Sequence, residues 1–342
     1  MNKILSIVIP TYNMEKYLRR CLDSLLIDDK KLLEQLEVLV VNDGSKDASS
    51  LIAHEYQDKF SGTFVVIDKE NGNYGSCINR GLSEAKGKYI KILDADDFFD
   101  KDSFSSFMAY LGESDVDVVV SNYNVVSIDG KLIRKWDYVF PQRKKLNISE
   151  YCDSYCYKVL QMHAIAYNRS KIVENNYIQT EGISYTDQEW MFYPMSYMTT
   201  FTYFPVAVYQ YGLGREGQTM DENVRKKTIN HMTKILYRQA DFLNHANSQE
   251  MINGYMKTRF FQLVNMIYPM LISGRQDISL KDIDEKVKEI NPAIYDEISV
   301  LKLDSRTWPF LYINHWRNNN KIKLWFIMSG YEMMKWIKIK VR

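Results

Sequence analysis

Three aspartates fall within four consecutive positions in Asp94-Ala95-Asp96-Asp97, directly after the apolar run at residues 89–93. Carboxylates this close repel one another unless a cation offsets them. A hard divalent ion does so: Mg²⁺ or Mn²⁺ takes one or two protein carboxylates and completes its shell with phosphate oxygens and water. A solvated turn capping a helix that begins near Asp102 also accounts for the cluster. A further carboxylate, Asp43, stands in Val40-Val41-Asn42-Asp43-Gly44-Ser45. It is suited either to cap a helix starting near Lys46-Asp47, with Gly44 making the turn, or to accept the imide N–H of a uracil ring flanked by Thr11 and Tyr12.

The elements that position these groups follow from hydrophobic period. Residues 4–10, 36–41, 63–67 and 89–93 are short Val/Ile-rich runs that read as strands buried on both faces, and residues 116–120 extend the set. Amphipathic stretches at 15–26, 46–58 and 74–85 alternate with them. Strand, helix, strand, helix predicts an α/β domain with a mostly parallel sheet flanked by helices. In open sheets of this kind ligands gather beyond the carboxyl ends of strands. Pro10-Thr11-Tyr12-Asn13, the Asp43 segment and the acidic turn all lie at such ends. From about Glu222 the pattern becomes helical, with helices expected at 228–243, 253–272 and 279–290, the last ended by Pro292. The expected division is a catalytic domain over 1–221 and a smaller helical domain over 222–342.

The chain has 342 residues, 46% hydrophobic and 25% charged, which suits a folded protein rather than a disordered one. A formal charge of +1 excludes the overall basic field of a nucleic-acid binder. Four cysteines form no disulfide framework and fit the cytoplasm. Cys152 and Cys156 are spaced to share one helical face, but without a second ligand pair they read as structural thiols rather than a zinc site. The apolar run near the N-terminus is too short for a secretory signal, and no run reaches the ~18 apolar residues of a membrane span.

Four ordered motifs resemble glycosyltransferase family 2: Ser6-Ile7-Val8-Ile9-Pro10-Thr11-Tyr12-Asn13, Val41-Asn42-Asp43-Gly44-Ser45-Lys46-Asp47, Asn71-Gly72-Asn73-Tyr74-Gly75 and Leu93-Asp94-Ala95-Asp96-Asp97. The resemblance implies a GT-A fold and an inverting, metal-dependent transferase that moves a hexose or N-acetylhexosamine from a UDP-sugar to a hydroxyl of a glycan or lipid-linked glycan. It implies that Pro10, Tyr12, Asp43, Gly75, Asn79, Asp94, Ala95 and Arg215 bind the nucleotide-sugar, with Asp96, in the DXD-type turn, holding Mn²⁺ or Mg²⁺. Asp97 orients the cluster or caps a helix. The family places its base in a downstream acidic pair, which Thr186-Asp187-Gln188-Glu189-Trp190 supplies. Asp187 is the expected base and Glu189 the competitor, because Thr186 stands where the usual pair has Glu. Arg215, in Gly214-Arg215-Glu216-Gly217-Gln218-Thr219, is expected over the diphosphate, and His163 lies where a strand re-enters the sheet near the acceptor side.

Residues 321–342 mix aromatic and aliphatic side chains with six cations and only Glu332 as an acid. They suit either an interfacial helix on the inner face of the plasma membrane or packing on the helical domain or a second subunit. A noncatalytic glycan- or nucleotide-binding protein on the same fold is the rival reading. A nucleotidyltransferase would need a glycine-rich triphosphate loop after the first strand, where this sequence has none.

Overall fold

The computed structural model describes residues 2–215, 228–245, 252–272, 279–302, 311–318 and 328–330. The chain divides into two compact units, Met1–Gln218 and Thr219–Arg342. The expected boundary at 221/222 and nearly all of the basic segment 321–342 lie outside the described residues.

The first unit is built on a ten-stranded sheet. Its strands are β1 (Leu5–Thr11), β2 (Leu36–Asn42), β3 (Phe64–Asp68), β4 (Tyr89–Ile92), β5 (Phe98–Phe99), β6 (Val118–Ser127), β7 (Leu132–Trp136), β8 (Leu146–Asn147), β9 (Ile165–Asn168) and β10 (Thr200–Leu213). They run in the order β3-β2-β1-β4-β9-β6-β10-β5, with β7 on β6 and β8 on β10. The long ladders are parallel, Leu5↔Leu36 to Thr11↔Asn42 and Phe201↔Val118 to Leu213↔Ser127. The short β9 is antiparallel to both β4 and β6.

β1, β2 and β4 are buried almost throughout, as two-sided cover by helices requires. The helix Asn73–Glu84 lies close on β1 because Gly81 has no side chain: a Cβ there would stand 2.4 Å from Val8 Cγ1. β10 carries Pro205, which cannot donate to a ladder; the register shifts between Phe204 and Ala207 and absorbs it.

The thiol expectation is corrected. Two short helices, Ile148–Tyr151 and Tyr155–Lys158, replace a continuous one, because Ser154 caps the second through Tyr157 N (3.3 Å). Cys152 is buried and Cys156 partly exposed, and neither forms a disulfide.

In the second unit the described helices are Ile229–His245, Lys257–Ile272, Leu280–Ile290, Pro292–Ile298 and Tyr312–Arg317, with a π-helical turn at Ile252–Met256. Pro292 also opens the next helix, where its missing N–H costs nothing, and Asn291 caps Ile294 N at 3.0 Å. Arg317 grips buried Asp284 with two nitrogens (2.6 and 2.9 Å) and lies 3.6 Å over the Tyr295 ring, tying the last of these helices to the two before it. Among the described residues no helix is long and apolar enough to cross a membrane.

Glu37 on β2 and Lys91 on β4 are charged residues buried within the sheet. Lys91 on β4 is fully buried, and its Nζ donates to the carbonyls of His163 (2.7 Å) and Ile165 (3.0 Å), joining β4 to the start of β9. Burial lowers its pKa from 10.5 to about 7. Between those values the unfolded chain binds a proton that the folded chain does not, so Lys91 contributes stability that grows as the pH rises through this window. Relative to Lys91→Met, the wild type should therefore gain roughly 3–6 °C in Tm between about pH 7.5 and 9.5. Parallel melting curves of the two proteins across that range test it; a constant difference contradicts it.

Candidate active site

The carboxyl ends of β1, β2 and β4 bring three of the sequence motifs together. In the acidic turn burial alternates: Ala95 and Asp97 are buried, while Asp94 and Asp96 remain partly exposed. The two kinds of aspartate have different partners. Asp97 accepts from Tyr209 Oη (2.6 Å) and from Gly212 N (2.7 Å), which pins the turn to β10. It caps no helix; Asp100 does that for Lys101–Glu113, accepting from Ser103 N at 3.0 Å. Asp94 accepts from Tyr74 Oη at 2.8 Å, and Asp96 accepts from Arg215 Nε at 2.7 Å.

The electrostatics follow from crowding and burial. Desolvation, then the charges of Asp96 and Asp187, lifts Asp94 to about 7 against the lowering pull of Tyr74 and Arg215. Desolvation, followed by the charges of Asp96 and Asp94, also raises Asp97 well above the carboxylate range. Donor atoms of Asp94, Asp97 and His163 lie within 4.8 Å of one another. His163 is stacked on Tyr211 and enclosed by Tyr209 and Tyr123; burial and the Lys91 charge lower its pKa to about 3, so the ring is neutral. Its Nδ1 is buried and has no hydrogen-bond partner. Excess negative charge beside a neutral imidazole with an orphaned nitrogen fits a bound cation. Within this group both Asp97 oxygens already accept hydrogen bonds, and Asp94 is partly exposed; Asp96, outside the group, is the turn's other partly exposed carboxylate. His163 itself belongs to a 3₁₀ turn, Met162–Ala164, and β9 begins after it.

Asp43 is not a helix cap. The helix Ser49–Lys59 begins at Ala48, and Asp47 serves Ser49 N at 3.0 Å. Asp43 is buried at the end of β2, where Oδ1 accepts from Lys69 Nζ (2.5 Å) and Gly72 N (2.9 Å). Beside it opens a cavity of 560 Å³ lined by Tyr12, Asn42, Gly44, Lys46, Asp68, Lys69, Glu70 and Asn71. Tyr12 stands 46% exposed at this cavity, while Pro10 pairs with Val41 in the ladder behind it.

Gly75 and Asn79 both meet residues 179–182. At Gly75 the close backbone approach is from the chain itself: a Cβ there would meet the Thr180 carbonyl oxygen at 1.9 Å. Asn79 is bonded to the same segment. Its amide donates to Gln179 O (2.9 Å) and Glu181 Oε1 (2.8 Å) and accepts from Gln179 N (2.8 Å). Both residues dock residues 179–182 onto the helix Asn73–Glu84.

Asp187 and Glu189 open the helix Asp187–Phe192 and part company there. Asp187 is partly exposed, and its charge raises the pKa of Asp94, Tyr74 and Tyr211. Glu189 is fully buried, with both oxygens accepting from Thr180. Thr186 does not cap this helix; its Oγ1 accepts from Gln179 Nε2 at 2.9 Å. Tyr185 precedes the pair at φ +65, a left-handed conformation that costs a bulky residue ~1–2 kcal/mol. Asn13 and Asn73, in the first and third motifs, also have positive φ.

Sequence reasoning did not single out Lys69, Tyr74, Lys91 or Tyr209. A lysine inside the apolar run Tyr89-Ile90-Lys91-Ile92-Leu93 was the readable signal among them. The others depend on partners 20 to 115 residues away.

Residues 6–170 match the family described as Glycosyl transferase family 2. The chain is 37% identical over 118 residues to the putative glycosyltransferase EpsH of Bacillus subtilis, covering 34% of this chain and 33% of EpsH. It is 34% identical over 119 residues to glycosyltransferase GlyA of Streptococcus pneumoniae, covering 35% of this chain and 16% of GlyA. The matches thus span a third or less of these relatives. Among solved structures, S. aureus TarS 1–349 in complex with UDP-GlcNAc superposes with a TM-score of 0.65 at 18% identity, covering 96% of this chain and 92% of TarS 1–349. The fold is therefore of the TarS kind, and residues 6–170 form a domain of glycosyltransferase family 2.

Proposed function

We propose that the chain transfers a hexose or N-acetylhexosamine from a UDP-linked donor to a hydroxyl of a cell-surface glycan, with inversion at the anomeric carbon. The observation that carries this reading is the meeting of a partly exposed Asp187 with the acidic turn, whose Asp94 responds to its charge. The cavity beside Asp43 is the proposed seat of the uracil, with Tyr12 against the base and Asp43 held in place by Lys69. TarS, solved with UDP-GlcNAc and with UDP, supports the choice of nucleotide. A likeness over 116 residues to the minor teichoic acid biosynthesis protein GgaB of Bacillus subtilis supports a cell-surface acceptor.

In the proposed reaction Asp187 takes the proton of the acceptor hydroxyl. The oxygen attacks the anomeric carbon from the face opposite UDP, and the bond to the β-phosphate oxygen breaks with its electron pair leaving on UDP. Glu189 is a poor base by comparison, since it is fully buried and bonded through both oxygens to Thr180, whereas Asp187, which accepts from Gln188 Nε2 at 3.0 Å, is partly exposed. Arg215, paired with Asp96, is poised to exchange that partner for the departing diphosphate. Asp94 and Asp96 would hold a divalent cation, which when bound supplies Lewis-acid stabilisation of phosphate charge. The mannosyltransferase PcManGT from Pyrobaculum calidifontis, solved with GDP-Man and Mn²⁺, supports a cation in this fold.

Two outcomes are expected. In calorimetry with UDP, GDP, dTDP and CMP, the protein binds UDP selectively and more tightly with Mn²⁺, and Asp96→Ala loses the Mn²⁺ enhancement; a folded protein that binds no nucleotide points to the noncatalytic reading. Asp187→Asn keeps UDP affinity but lowers kcat by roughly 10²–10⁴, and full transfer by this variant removes Asp187 as the base.

A further inference from the structure

Residues 179–182 run between the helix that carries the third motif and the helix that carries Asp187, and both helices grip them. On one side stand the Asn79 amide, the Gly72 carbonyl, which accepts from Gly182 N at 2.9 Å, and the bare Cα of Gly75. On the other, Glu189 Oε2 accepts from Thr180 N and Oε1 from Thr180 Oγ1, both at 2.8 Å, while Gln179 Nε2 donates to Thr186 Oγ1. Gln179, Thr186 and Glu189 are all fully buried. Tyr177 Oη donates to Gln179 Oε1 at 3.1 Å and closes the network.

A buried carboxylate bonded through both oxygens to one residue is a rigid joint, because charge-assisted hydrogen bonds are short and directional. Asp187 and Glu189 are two positions apart on one helical turn, so they project to different sides. We infer that Glu189 is a positioning residue: by clamping Thr180 it fixes the Asp187 helix to the third-motif helix, and so fixes Asp187 relative to the donor. This rests on the reading of Asp187 as the base. Tyr74, next to Gly75 on the same helix, bonds Asp94, so the clamp reaches the acidic turn through one further hydrogen bond. A displacement of about 1 Å at a reacting group costs on the order of 10²-fold in rate.

The test uses the full chain with UDP-sugar, Mn²⁺ and a glycan acceptor, comparing the wild type with Glu189→Gln and Thr180→Val. Glu189→Gln keeps the shape but turns an amide N–H toward one of the two Thr180 donors. Thr180→Val removes only the hydroxyl donor and remains informative if the first variant fails to fold. Expected are a kcat reduced roughly 10–100-fold for Glu189→Gln and less for Thr180→Val, UDP affinity within about twofold of wild type, and an acidic limb of the pH–rate profile that persists at a lower plateau. Loss of that limb in Glu189→Gln would make Glu189 itself the base and overturn the inference. So would an unchanged kcat in both variants while Asp187→Asn is inactive. A wild type that neither binds UDP nor transfers sugar would instead defeat the functional reading beneath it.

Discussion

Bringing Asp94, Asp96, Asp97 and Asp187 together in a partly desolvated space is the constraint around which the first unit is arranged. Desolvation and mutual repulsion both favour protonation, and they act together on Asp94 and Asp97. The structure answers with hydrogen-bond donors from separate elements: Tyr74 from the third-motif helix, Tyr209 and Gly212 from β10, and Arg215 just beyond it. Each donor satisfies one carboxylate in one direction. The turn closes through its own backbone, Asp97 N–H donating to the Asp94 carbonyl at 2.9 Å, and contacts from far along the chain fix its side chains.

Alternation at the end of β4 divides the work. Within the turn closed by Asp97 N–H on the Asp94 carbonyl (2.9 Å), Asp94 and Asp96 stay partly exposed while Ala95 and Asp97 are buried. The inward aspartate anchors the turn to β10, and the outward pair stays partly exposed, accepting from Tyr74 and Arg215. The helix Asp187–Phe192 shows the same division: Glu189 is spent on internal hydrogen bonds, and Asp187 keeps partial exposure. In both places two carboxylates of similar chemistry acquire different capacities from burial and partners alone.

Close approach of backbone segments is the second requirement of the site. Gly75 lets residues 179–182 lie on the third-motif helix, and Gly81 lets that same helix lie on β1. Left-handed backbone at Asn13, Asn73 and Tyr185 turns the chain within or beside three of the segments that build the cleft. Asparagine tolerates that conformation through its short polar side chain, whereas Tyr185 is held in it by its surroundings. Strain beside Asp187 is consistent with a helix start dictated by the Thr180 and Thr186 contacts.

The sequence by itself determined the strand–helix alternation, three helices of the second unit though not Pro292–Ile298 or Tyr312–Arg317, and the loops where charge collects, because hydrophobic period and turn chemistry are local properties. It also carried the family resemblance, since ordered motifs survive in one dimension. The roles of Gly75 and Asn79 were not legible. A glycine records only that something comes close, and what comes close is Thr180, more than a hundred residues away. The strand expected to re-enter the sheet near His163 is β9, but local pattern could not foresee that it runs antiparallel between β4 and β6, nor the different burial of Asp187 and Glu189. Those were decided only by tertiary structure, which sets desolvation and hydrogen-bond partners, and with them the carboxylates that are spent on holding the fold and those left partly exposed in the cleft.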